Sequence, residues 1–181
     1  MTELDLVGRA RHGDLDAFTA LAGARLAAMT RTASAILGDE TEAHDAVQEA
    51  LISIWRELPT LREPERFDAW AGRILVNACR HAIKRRVRVR VREIALQPDG
   101  VDGSGLLAAS GRVESLGRED ALNRAFERLD ADQRTILVMH HLEDRPLAEI
   151  AAILGIPEGT AKSRLFTARR ALQKALEREW R

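Results

Sequence analysis

The sequence predicts an all-α protein built from two small helical domains joined by a flexible linker. Three observations carry that prediction. Ala, Leu, Arg and Glu dominate the chain, and these residues lose least on entering a helix. Apolar residues recur at three- and four-residue spacing along most of the length, with few β-branched runs. The pattern lapses once, over residues 93–117, where Gly100, Gly103, Gly105, Gly111, Gly117 and Pro98 mark a linker. At 181 residues, 45 % hydrophobic and 31 % charged, the chain has a globular composition and the length of two small domains.

The elements follow in order. Asp14 is placed to cap a helix carrying Leu15, Phe18, Leu21 and Leu26, which extends to Ile36 and Leu37 and stops at Gly38. A second helix starts after Asp39 or Thr41 and runs to Leu58, where Pro59 ends it. Its apolar face is Val47, Ala50, Leu51, Ile54 and Leu58, while Asp45, Gln48, Ile52 and Trp55 form a neighbouring stripe. A short loop, Pro59 to Arg66, leads to a third helical stretch from Phe67 towards Arg86. There Ile74, Leu75, Ala78 and Ala82 line one side and Arg73, Asn77, Arg80 and Lys84 the other. The RVRVRVR run that follows reads as the frayed end of this helix, or as a strand with no neighbour to pair with.

Beyond the linker, Pro146 suits a helix start, and Leu147, Ile150, Ala151 and Leu154 form a stripe that Gly155 closes. Ile156 plugs the turn, and Pro157 opens a last helix with Ala161, Leu165, Ala168 and Leu172 on its apolar side. Lys162, Ser163, Phe166, Thr167 and Arg170 lie largely on another. This is the layout of a helix-turn-helix, whose second helix enters the major groove of DNA; an αα-hairpin with a solvated basic face is the simpler alternative. An exposed Phe166 among arginines favours DNA, since an aromatic there can meet a base or a thymine methyl.

Charge is segregated although the net charge is zero. From Thr32 to Trp55 there is no Lys or Arg, whereas Asp39, Glu40, Glu42, Asp45 and Glu49 are acidic. From Arg73 to Arg92 the cations are Arg73, Arg80, Lys84, Arg85, Arg86, Arg88, Arg90 and Arg92, with no acid among them. A third block runs from Lys162 to Arg181. Two basic faces and one acidic face suggest nucleic acid on some surfaces and a protein on another. The basic stripe of the third helix can neutralise phosphates, and Asn77 can read a base edge.

Other classes lack support. The lone Cys79 can form no internal disulfide and reads as a small packing residue in a reducing, cytoplasmic setting. The N-terminus lacks the apolar core of a signal peptide, and no stretch has the length of a membrane span, so no membrane insertion is expected. His140 and His141 diverge by about 100° on a helix and cannot chelate one metal as a pair. With no phosphate loop, partnered carboxylates or nucleophile elbow, neither enzyme activity nor a cofactor is expected.

The segments LDADQRTILVMHHLEDRPLAEIAAILG and IPEGTAKSRLFTARRAL resemble region 4 of bacterial sigma factors. DAVQEALISIW resembles region 2.2, and FDAWAGRILVNACRHAIKRR regions 2.3 and 2.4. The short chain with only these two domains is similar to the extracytoplasmic-function (ECF) group of the sigma-70 family. The resemblance covers most of the chain apart from the linker and the extreme N-terminus. It implies residues 1–92 as region 2, 93–117 as linker and 118–181 as region 4. It implies three partners: core RNA polymerase, promoter DNA and an anti-sigma factor. Asp45, Gln48, Glu49 and Trp55 match the positions that dock on polymerase. Arg73, Asn77, Arg80 and Lys84 would engage the −10 element, with Arg62 in the Thr60–Glu65 loop that captures a flipped base, and Phe67 or Trp70 near the melted junction. Either aromatic suits the core as well, and for Trp70 the core is the preferred reading. Lys162, Ser163, Arg164, Phe166, Thr167 and Arg170 would meet the −35 element. The acidic linker would thread towards the polymerase cleft. Two departures stand out: His81 lies where the family commonly has Asp, and Thr167 where it often has Arg. An autonomous helix-turn-helix regulator is the alternative, but it would need a dimer interface. No spare apolar helix is left for one, so the free chain is expected to be monomeric.

Overall fold

The computed structural model describes residues 2–95 and 117–179 and is helical throughout them. The N-terminal half comprises α1 (Glu3–Arg11), α2 (Leu15–Leu37), α3 (Glu40–Glu57) and α4 (Phe67–Ala95). The C-terminal half comprises α5 (Gly117–Glu127), α6 (Ala131–His141), α7 (Leu147–Leu154) and α8 (Glu158–Glu179). The expected linker lies mostly in residues 96–116, outside the described residues.

Local chemistry sets the boundaries. Asp14 caps α2 by accepting from the Ala17 amide at 3.0 Å, and Asp39 caps α3 through the Glu42 amide at 2.8 Å. Gly38 ends α2 in the left-handed region, φ 69°, which a glycine enters without a Cβ penalty. Pro146 stands one position earlier than a first-turn proline, as the extended residue just before α7. The loop before α4 is two 3₁₀ turns, Leu58–Thr60 and Pro64–Arg66, with Leu61 buried between them. The Arg-Val run continues α4 as helix to Ala95, in line with its reading as the end of that helix and not with a strand.

α1 and α5 were not foreseen as separate helices. α1 is short, capped by Thr2 and Asp5 in a reciprocal pair, and buries only Val7 and Ala10. Of the two aromatics at the start of α4, Phe67 lies in the core, 3 % exposed, and Trp70 packs half-buried against it. Phe67 faces inward at the first position of α4, under the Arg25 guanidinium 4.9 Å from its ring centre.

Two hydrophobic cores form, and they interlock. Leu21, Ile36, Val47, Ile54, Leu75 and Cys79 fill the first, between α1 and α4. Ile136, Ile150, Ile153, Leu165 and Ala168 fill the second, between α6 and α8. Val138 of α6 enters the first core, and Val76 of α4 enters the second. The halves therefore pack directly, through α2, α4, α6 and α7.

Candidate polymerase and nucleic-acid interfaces

The acidic stripe of α3 faces solvent. Its buried side, Ala43, Ala46, Val47, Ala50 and Ile54, leaves Asp45, Gln48, Glu49 and Ile52 outward one turn apart, with Ile52 58 % exposed. Ser53 and Arg56 of α3 and Arg85 of α4 join them around a shallow depression. Trp55 differs from its neighbours in the stripe. It is half-buried, with its ring 4.9 Å from that of Phe18, so it braces α3 on α2 as well as reaching the surface.

α4 carries the first basic face. Asn77 and Lys84 are exposed, as is Arg62 in the preceding loop. Arg73 and Arg80 are engaged by the other half of the molecule. Arg73 donates to the carbonyls of Ala152 at 2.9 Å and Ile153 at 3.3 Å, the C-terminal end of α7, where a cation is favoured by the helix dipole. Gly155 is required there twice over: its φ is +66°, and a Cβ would come within 3.0 Å of the Arg73 guanidinium. Arg80 forks onto Asp132 of α6 at 2.8 and 2.9 Å. His81 points to the α3 side instead, its Nδ1 3.9 Å from the Glu49 carboxylate.

α8 carries the second basic face. Ala161, Leu165 and Ala168 are buried, which turns Lys162, Ser163, Arg164, Phe166, Thr167 and Arg170 outward. Phe166 is 63 % exposed, with the Arg170 guanidinium 5.8 Å from its ring centre. The Ser163 and Thr167 hydroxyls donate to the carbonyls of Thr160 and Ser163, at 2.9 and 3.0 Å, and so lie along the helix. Arg164 stands 3.8 Å from Asp132, and Arg169 donates to His141 Nε2 at 3.2 Å. Partial desolvation of the otherwise exposed ring, with the charges of Arg169 and His140 beside it, holds His141 below its ordinary pKa.

The acidic helix α3 is followed along the chain by the two basic helices α4 and α8, in the order expected. Residues 21–89 match the family model for sigma-70 region 2, and residues 119–172 match that for sigma-70 region 4. The chain belongs to the sigma-70 family. It falls in the ECF group of sigma factors. The RNA polymerase sigma-H factor of Pseudomonas aeruginosa is 30 % identical over 95 % of this chain and 92 % of its own. The ECF RNA polymerase sigma-E factor of Escherichia coli is 28 % identical over 98 % and 95 %. Among solved structures, the sigma factor RpoE of Bartonella quintana, in complex with the anti-sigma factor NepR, is 27 % identical with a TM-score of 0.62. That likeness spans 88 % of this chain and 96 % of RpoE. CnrH, in complex with the cytosolic domain of CnrY, shares the fold at 23 % identity and a TM-score of 0.67, over 97 % of each chain.

The region 2 match thus falls on α2 to α4, and the region 4 match on α5 to α8. The structure brings the −35 set together on α8 and the polymerase set on α3, with Trp55 turned partly inward. It divides the −10 set, leaving Arg62, Asn77 and Lys84 open while Arg73 and Arg80 face region 4. Sequence reasoning missed Asp132, which meets an arginine of each basic helix, and Arg134. Arg134 is 6 % exposed and donates to the carbonyls of Leu129, Glu127 and Ile36. Neither residue carries a sequence signal, because their partners lie up to 98 positions away.

Proposed function

We propose that this sigma factor binds core RNA polymerase through the exposed α3 stripe and reads two promoter elements with α4 and α8. On this reading residues 1–92 form region 2, residues 93–117 the linker and residues 118–181 region 4. The division of charge on the three helices carries the proposal. Asp45, Gln48 and Glu49 present an acidic surface that repels phosphate and suits a basic protein groove. Asn77, with Arg62, Arg73, Arg80 and Lys84 around it, offers one base-reading amide amid phosphate-neutralising cations.

At the −10 element the Thr60–Glu65 loop would receive a base flipped from the melted strand. Unstacking a base costs a few kcal/mol, which a shaped loop and the cations of α4 offset. At the −35 element α8 would lie in the major groove. Lys162, Ser163, Phe166 and Thr167 would meet base edges, and Arg164, Arg169 and Arg170 phosphates. The hydroxyls of Ser163 and Thr167 would turn from their own helix to the bases. The protein would act in the cytoplasm without catalytic chemistry of its own. Among the described residues no helix is long and apolar enough to cross a membrane. The solved complex of the relative RpoE with the anti-sigma factor NepR supports an anti-sigma factor as a third partner.

The test is size-exclusion co-elution with core polymerase, using the wild type and a Gln48→Ala, Glu49→Ala double variant. Co-elution of the wild type and its loss in the variant, with helicity unchanged, is the expected result. Equal co-elution of both would exclude the α3 stripe as the docking face.

A further inference from the structure

Asp132 occupies an unusual position between the two DNA-facing helices. Its Oδ1 accepts from Nε and Nη2 of Arg80 on α4, at 2.9 and 2.8 Å. Its Oδ2 lies 3.8 Å from Nη1 of Arg164 on α8. One carboxylate thus faces a cation of each basic helix, with its two oxygens divided between them, much as a backbone phosphate would. The surrounding contacts hold the same arrangement. Arg73 of α4 caps α7, Thr32 of α2 donates to Glu143 beyond α6, and Gly72 of α4 faces Ile153, which a Cβ at that position would meet at 3.4 Å.

We propose that Asp132 is a built-in substitute for DNA phosphate that keeps the free chain closed, with α4 covered by region 4 until core polymerase separates the halves. This rests on α4 and α8 being the DNA-reading helices. The balance of forces suits a reversible lock. The Asp132 side chain is 52 % exposed, so each ion pair is weak and salt-screened. A duplex that binds only the open form must work against the closed population, and its apparent affinity falls by the open fraction. Losing Asp132 removes attraction at two arginines together and raises that fraction.

The position tolerates replacement, because α6 is capped independently by Asp130 and Gln133. The experiment uses the full chain with labels on Glu57→Cys and Gln173→Cys, two exposed sites away from the contact. Buried Cys79 stays unlabelled. Inter-label distance and affinity for a mixed-sequence DNA duplex are measured for the wild type, Asp132→Asn and Glu158→Gln. Glu158→Gln removes the same charge from the first turn of α8 without touching α4.

Asp132→Asn should lengthen the mean distance and tighten DNA binding by the free chain about three- to tenfold. Glu158→Gln should leave the distance unchanged and give a smaller gain. In complex with core polymerase, wild type and Asp132→Asn should bind promoter DNA alike. An unchanged distance in Asp132→Asn, or a gain no larger than that of Glu158→Gln, would overturn the proposal. Arg80→Ala and Arg164→Ala in the polymerase complex report separately on DNA reading. If both bind promoter DNA as the wild type does, the reading of α4 and α8 fails, whatever the distance shows for the closed state.

Discussion

Arg134 is a buried cation with no ion pair among the described residues, Glu127 and Asp130 acting on it only at longer range. Burial and the nearby Arg86 push its pKa down, yet it keeps its place by donating to three carbonyls that would otherwise be orphaned. Arg134→Met should cost about 1–3 kcal/mol in urea unfolding, because an apolar chain of similar length fills the space and leaves those acceptors bare. At Cys79 burial pushes the thiol up to about 12. The native protein should resist a thiol reagent at pH 8 and react fully in denaturant; equal rates would contradict its burial. His141 supplies a pH dependence of defined sign. Its folded pKa lies below the ordinary 6.5, so the unfolded chain takes up a proton that the folded chain refuses. Stability should therefore hold above pH 6.5 and fall as the pH drops through the folded pKa. His141→Asn should flatten that part of a urea-midpoint profile. At this scale the sequence showed types and faces. It marked Cys79 as packing and Phe166 as exposed, but not Arg134, whose partners are brought to it only by tertiary contact.

Among the elements, caps and stops were the most legible features. Asp14, Gly38, Asp39 and Gly155 each stand at a helix end where side-chain chemistry or a positive φ demands them. Asp14→Ala should cost about 0.5–2 kcal/mol by freeing the first amides of α2 and releasing Arg9, which donates to the same carboxylate. Loss of less than a few tenths of a kcal/mol would assign those amides to solvent. The unforeseen α1 carries only nine residues, too few for a periodic signal, and its Thr2–Asp5 cap replaces the usual Glu by a shorter acid. On α8 two side chains should fail differently. Arg170→Ala should weaken all duplexes alike and lower the salt slope by about one, whereas Phe166→Ala should cost roughly 1–3 kcal/mol on the cognate −35 sequence alone. Identical losses on cognate and scrambled DNA would leave Phe166 no reading role. On α3 the packing of Trp55 against Phe18 means that Trp55→Ala would loosen the bundle as well as the surface. Exposed Gln48 and Glu49 are the cleaner probes.

For the whole molecule, the sequence indicated two domains and the division of charge between their helices, since both follow from local pattern. It did not indicate how the halves pack. Thr32 meets Glu143, Arg73 the backbone carbonyl of Ala152, and Arg80 Asp132, and no periodicity pairs them across the chain. The interlocked Val76 and Val138 are indistinguishable in sequence from residues of their own domains' cores. On the proposal of a closed free chain, both positions would have to be covered again, or hydrated, for the halves to part. The central claim is that α4 and α8 read two separate elements of one promoter. Mapping transcript 5′ ends from genomic fragments, with core polymerase and either wild type, Asn77→Ala or Phe166→Ala, tests it most directly. The account predicts starts clustered below two shared motifs, with Asn77→Ala relaxing only the downstream motif and Phe166→Ala only the upstream one. Starts as scattered as with core polymerase alone, or both motifs unaffected by both variants, would contradict it.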